Sequence, residues 1–290
     1  VAMARVETMD NFINHIEVDI NRALYISGFR AIISITDYIT EQETPTFLAD
    51  GQTQTFFNEL MFYGTIDGQT SSLMTNQKFA IWMSNIASKG NDLNIYVNFS
   101  NSNIRLYQEN PWNITVELNI TLYIDDTANT ASWVRNGSIK TNIPINNFED
   151  PLYIIKGSKR VPQIINRTLY EGNYRSGTDC SNLSKHMESS LYATNIDAPS
   201  FLDRFEFDKP WKYSSCCGIE SFINAQEFNN QGVSLDLSKS IIDHEQWYLS
   251  DTLAYISPSP PYSCNSNTLP SWFTGNNLGI GANHKVKYGV

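Results

Sequence analysis

The chain has 290 residues, 41% hydrophobic and 17% charged, a folding composition with length for one large domain or two ordinary ones. Its net charge of −10 and pI near 4.8 come without a basic stripe. No Lys/Arg cluster exceeds Lys156, Lys159 and Arg160, which excludes nucleic acid as a partner and argues against docking on anionic lipid headgroups.

Residues 4–39 carry Val6, Met9, Ile13, Ile16, Ile20, Ala23, Ser27, Ala31 and Ile35 at steps of three and four, which predicts one long helix. Val1 and Ala2 are poor caps, so the helix is expected to start abruptly and to continue from a removed upstream segment. Its first half is amphipathic and its second half apolar on more of its circumference. The first half is therefore expected to stand proud, with Val6, Met9, Phe12 and Ile13 forming a stripe without an obvious partner. Ala23, Ser27 and Ala31 form a small-residue stripe that lets a sheet or helix approach closely.

Shorter helices are predicted near 51–64 and 76–88, punctuated by Gly64, Gly68 and Gly90. The period then changes to two. Leu93, Ile95, Val97 and Phe99 alternate with polar residues, as do Ile114, Val116, Leu118, Ile120, Leu122 and Ile124. This is the pattern of an antiparallel sheet with one wet face. Asn136-Gly137 in "ASWVRNGSIKTNI" fits a two-residue hairpin turn. Beyond residue 156 the texture becomes polar and irregular. A short helix is expected near 182–193, another over 219–229, and a strand in "VSLDL". The reading is α+β: a long N-terminal helix (1–40) packed on the antiparallel sheet of 41–156, then a second, smaller, disulfide-linked α+β region over 157–290.

Six N-x-S/T triplets begin at Asn98, Asn113, Asn119, Asn136, Asn166 and Asn182. Asn98, Asn113 and Asn119 fall on the polar parity of their strands, and Asn136 in the expected turn. These four should be exposed, as a glycan requires. Cys180, Cys216, Cys217 and Cys264 suit two disulfides, the vicinal pair reaching out to the other two, and so an oxidising compartment.

Candidate chemistry is sparse. "IIDHEQW" brings Asp243 and His244 together, and with His186 and Glu220 they form a weak metal-site candidate. Position 248 is Tyr, so the H-E-x-x-H pattern fails. No G-x-S-x-G elbow occurs. Asp125-Asp126 reads as a polar turn able to take Ca²⁺ only opportunistically, and no other cofactor is expected. Trp112, Trp133, Trp211, Trp247 and Trp272 are candidates to line a carbohydrate groove.

The segments "DINRALYISGFRAI", "NPWNITV", "FEDPLY", "APSFLDRF", "GIESFIN" and "HKVKYGV" resemble a group of poorly characterised archaeal exported, membrane-anchored surface proteins. In that group an N-terminal hydrophobic helix runs straight into a helix like residues 4–39. The resemblance implies compartment and anchoring, and no activity. The layout also resembles type IV pilin-like proteins. The expectation is a non-enzymatic extracytoplasmic surface protein serving adhesion, surface assembly or envelope structure. Its partners would be other surface or filament proteins, or a second copy through the N-terminal helix. It would meet the membrane only through a missing upstream segment. The alternatives are a secreted or anchored hydrolase acting on polysaccharide or peptide, with a site near His186 and His244, and a ligand-binding sensor ectodomain.

Overall fold

The computed structural model describes residues 2–157, 160, 163–195, 198–206, 216–222 and 230–232. The architecture is α+β. Its chain forms two compact units, and neither is a single stretch. The first comprises residues 1–38, 50–107 and 113–144, the second 39–49, 108–112 and 145–290.

The first unit is built on α1 (Ala2–Glu41) and a sheet of β3 (Ile95–Asn110), β4 (Asn113–Asp126) and β5 (Ser132–Pro144), in the order β3-β4-β5. Between them in sequence come α2 (Gln52–Tyr63), the two-stranded ribbon β1 (Thr65–Ile66) and β2 (Gln69–Thr70), and α3 (Phe79–Asp92). Helix α3 runs through Gly90, where the sequence pattern predicts its end. Leu93 lies outside β3 and is exposed, so the dry face of that strand begins at Ile95.

The apolar half of the alternation in β4 is realised in full, whereas Thr115, expected on the wet face, is buried and hydrogen-bonds Asn142 Oδ1 (3.0 Å). Ile114, Val116, Leu118, Ile120, Leu122 and Ile124 are at most 4% exposed and face α1. The helix presents Met9, Ile13, Ile16, Ile20, Ala23, Ser27, Ala31 and Ile35, each at most 2% exposed. Close approach is set at Gly28, next to Ser27 of the small-residue stripe. A Cβ on Gly28 would lie 3.0 Å from Ile143 Cδ1 and 3.3 Å from Val116 Cγ2, so the helix backbone rests almost on the sheet.

The first half of α1 does not stand proud. Met9 and Ile13 are fully buried, and only Val6 of the stripe remains exposed. Polar contacts pin the helix along its length. Arg5 donates to Asp126 Oδ1 (2.8 Å) and to the Asn94 carbonyl (2.8 Å). Arg135 Nη1 meets Glu17 at 2.6 Å, and Asn21 donates to the Lys140 carbonyl (2.8 Å). The sheet, expected as the partner of the helix, covers the stripe of its first half as well.

The hairpin also differs from expectation. Asn136 and Gly137 lie inside β5, opposite Thr121 and Ile120, and the chain reverses over 127–131. There Asn129 adopts φ 57° and Thr130 hydrogen-bonds Asp126. Thirteen residue pairs join β4 to β5, from Asn113↔Pro144 to Asp125↔Ser132. A turn at Asn136 would leave the distal half of β4 without that partner, so the ladder overrides the local turn preference.

The second unit contains α4 (Pro151–Gly157), α5 (Ser181–Glu188), β6 (Tyr192–Thr194), α6 (Asp203–Glu206) and β7 (Ile219–Ser221). Strand β7 replaces the start of the helix expected over 219–229, and it pairs antiparallel with β6. The expected strand "VSLDL" lies outside the described residues. Leu152, Tyr153, Leu183, Tyr192, Phe201, Phe205 and Phe222 form the core. Gly218 lies so close to the Ala198 and Asn195 carbonyl oxygens that a Cβ there would overlap both. Any side chain would force this backbone apart.

Candidate functional site

Two polar constellations emerge, one open and one closed. The open one is a groove of about 560 Å³ in the first unit, within the size range of small-ligand pockets. Thr8, Asn11, Phe12, His15, Ile16 and Asp19 of α1 line it at helical spacing, so they form one continuous stripe. Helix α3 supplies Ile86, Lys89 and Asp92, and Leu93 closes the lining. Gly90 sets its depth: a Cβ there would lie 2.7 Å from the Ile95 carbonyl oxygen, 2.9 Å from Val97 Cγ2 and 3.3 Å from Phe12 Cζ. Only glycine lets α3 settle this close to β3 and Phe12.

The floor of the groove is apolar, and its rim carries both signs of charge. Asp19 and Lys89 stand 4.0 Å apart and largely in solvent, a loose pair of little energetic weight. His15 Nδ1 lies 2.6 Å from the Asn11 carbonyl oxygen. That nitrogen therefore carries the proton, and Nε2 is left for water or a ligand. The groove offers apolar contact plus a few polar groups, with no nucleophile–base pair.

The closed constellation lies in the second unit. Arg204 and Asp150 are both fully buried and pair at 2.7 Å. Tyr192 donates to the same Asp150 oxygen (2.6 Å), and Asp150 Oδ1 accepts the Leu152 N–H (3.0 Å) at the start of α4. Arg204 also donates to the Ile219 carbonyl, and its guanidinium lies 5.7 Å from the Tyr192 ring centroid. These bonds tie α4, β6, α6 and β7 together. The arrangement acts as a fastener, with Asp150, Tyr192 and Arg204 all enclosed.

His186 is fully buried, with its ring 5.2 Å from Tyr174 and 5.5 Å from Phe222, centroid to centroid. Glu220 is buried as well and accepts from Asn195. The Tyr174 hydroxyl is pushed far above its usual range, first by burial and then by the carboxylates of Glu171 and Glu220. Among the described residues no group of three or more His, Cys, Asp or Glu is placed to hold a metal ion. Asp243 and His244 lie outside the described residues.

Asp125 and Asp126, expected to form a polar turn, are instead the last two residues of β4, where Asp126 is held down to about 2, first by the Thr130 hydroxyl and then by Arg5. Asp125 accepts from Ser132 (2.5 Å). Cys216 and Cys217 are bonded to each other, not to two separate partners as their spacing led us to expect. Cys180 is buried and disulfide-bonded, and Cys264 lies outside the described residues. Trp112 is half-buried in the second unit under the Arg167 guanidinium, 5.1 Å from its ring centroid. Trp133 is half-buried on β5, and Trp211, Trp247 and Trp272 lie outside the described residues.

Four of the six sequon asparagines share one face of the sheet in the first unit. Asn113 and Asn119 have the wet parity of β4. Asn136 faces the same way because it pairs with Thr121. Asn98 has the parity opposite to the buried Ile95 and Val97. Asn98 and Asn136 are exposed, and Asn113 and Asn119 half-buried. Asn166 and Asn182 are half-buried in the second unit, where the Asn182 amide donates to the Asn173 carbonyl (3.0 Å). The same face of the sheet carries Glu117, which accepts from Ser138 (2.6 Å) and Tyr107 (3.1 Å). Its carboxyl is held below the usual range, first by the Ser138 hydroxyl.

The groove is the feature that sequence reading missed. Its polar members were visible as outward positions of a helix, but the facing residues of α3 could not be assigned to them. No protein family matches the chain, and no curated protein or solved structure does.

Proposed function

We propose that this is a non-enzymatic extracytoplasmic surface protein, the ectodomain of an anchored or pilin-like component serving adhesion, surface assembly or envelope structure. The observation that carries the proposal is the placement of Asn98, Asn113, Asn119 and Asn136 on one face of one sheet, opposite α1. A glycan needs an accessible asparagine, and a face bearing several of them suits a surface turned toward the outside of a cell. The bonded cysteines suit the same compartment. The docked start of α1 limits one version of the idea: self-association cannot use Met9 and Ile13 without undocking the helix from its sheet.

The test is labelling of intact producing cells with a membrane-impermeant amine reagent, followed by peptide mapping. The expected result is labelled chain with sugar on sequon asparagines. Unlabelled chain with bare asparagines and free thiols would refute the proposal.

A sensor ectodomain is the second reading, favoured by the groove beneath His15, Asp19 and Lys89. The hydrolase reading must contend with His186, which is enclosed by aromatic rings instead of facing a cleft.

A further inference from the structure

Two of the sequons are paired with each other. Asn119-Ile120-Thr121 lies antiparallel to Asn136-Gly137-Ser138, in the register Asn119↔Ser138, Ile120↔Gly137 and Thr121↔Asn136. Each acceptor asparagine therefore faces the hydroxyl residue of the other triplet. Both hydroxyls are committed. Thr121 donates to Asn136 Oδ1 (2.7 Å), and Ser138 donates to Glu117 (2.6 Å). An N-x-S/T triplet is read as a unit, asparagine together with the hydroxyl two residues on. In an extended strand those two side chains share a face but stand nearly two residue rises apart, about 6.5–7 Å. The folded sheet thus turns each hydroxyl away from its own asparagine.

We infer that Asn119 and Asn136 are N-glycan acceptors that are modified only while β4 and β5 are unpaired, and that closing the hairpin masks whichever triplet is still bare. This rests on the extracytoplasmic reading above. The donor class is a phosphate-activated oligosaccharide on a lipid. The asparagine Nδ2 forms a bond to the anomeric carbon, the bond from that carbon to the phosphate oxygen breaks, and the phosphate leaves with the electron pair. The amide loses one proton to solvent. The product fits the finished fold, because a substituent on Nδ2 leaves Asn136 Oδ1 free to accept from Thr121, and both asparagines lie on the wet face.

The experiment compares three substrates with one membrane transferase preparation and its lipid-linked donor: the folded, unglycosylated chain, the Leu118→Asp chain, and peptides 113–126 and 132–144. Leu118 is fully buried mid-strand, so its replacement opens the sheet while keeping both triplets. Peptides and Leu118→Asp chain should be modified at Asn119 and Asn136. The folded chain should react at least roughly a thousandfold more slowly, in line with the small unfolded fraction of a stable domain. Equal rates for folded and opened chain would overturn the masking, and refusal of both peptides would overturn the acceptor assignment. Glycan mapping of the exported protein separates the two levels. Bare Asn119 and Asn136 beside an occupied Asn98 sink this inference alone. Six bare sequons sink the extracytoplasmic reading with it.

Discussion

Replacing Ile13 by alanine probes whether the first half of α1 belongs to the fold. Ile13 is fully buried against the sheet, whereas Val6, two turns earlier, is 40% exposed. The substitution removes three carbons, worth about 0.8 kcal/mol each on transfer, or about 2.4 kcal/mol together. The cavity left between helix and sheet adds to this, giving a range of about 2–5 kcal/mol. At about 2–4 °C per kcal/mol, the melting temperature should fall by roughly 5–20 °C. Val6→Ala should cost less than about 0.5 kcal/mol. Circular dichroism melts of both variants supply the comparison, and hydrogen exchange of the parent supplies a second view. Amides of residues 9–20 should exchange with the protection of the sheet, not with that of a frayed end. If Ile13→Ala melts with Val6→Ala and the parent, or if those amides exchange within seconds, the helix start is undocked and the burial argument fails.

Asp126 titrates in acid. Its folded-state pKa of about 2 lies below the ordinary aspartate value near 3.9, so its contribution is present above pH 4 and lost as pH falls through 2. NMR should show the Asp126 carboxyl titrating near 2 and the first turns of α1 loosening in the same window, and Asp126→Asn should abolish that acid step. Arg204→Met should leave the fully buried Asp150 without its cation and cost about 3–5 kcal/mol in urea denaturation. The Asp150→Asn/Arg204→Met double variant should lose less than the sum of the two single changes.

What was legible in the chain followed from period and parity. The burial of the apolar residues of β4 could be read from their alternation, because one face must be dry, but that of Thr115 on the other face could not. The α1 stripe was equally plain. That it would lie on the sheet was legible too, because the dry face of the sheet needs a cover, but the extension of that packing to Met9 and Ile13 was not. Asn136-Gly137 shows local turn chemistry losing to a ladder of thirteen pairs. The Asp150–Arg204 pair had no signal at all: 54 residues separate its members, in two segments whose charges look ordinary. The groove was illegible for the same reason, since α1 and α3 meet only in three dimensions.

The clamp between Arg5 and Asp126 joins positions 121 residues apart. That separation has a kinetic meaning. At about 5–20 residues per second, a ribosome needs roughly 6–24 s to make the intervening chain. Throughout that interval the finished helix segment has no sheet to lie on, and a lone helix gains little stability from its own propensity. Long-range closure of this kind raises contact order and slows folding. A nascent chain must therefore carry the bare stripe of Met9, Ile13, Ile16 and Ile20 past every other apolar surface it meets. A holdase or an export receptor that engages this amphipathic segment early would shorten the exposure, and its release would have to wait for β4 and β5.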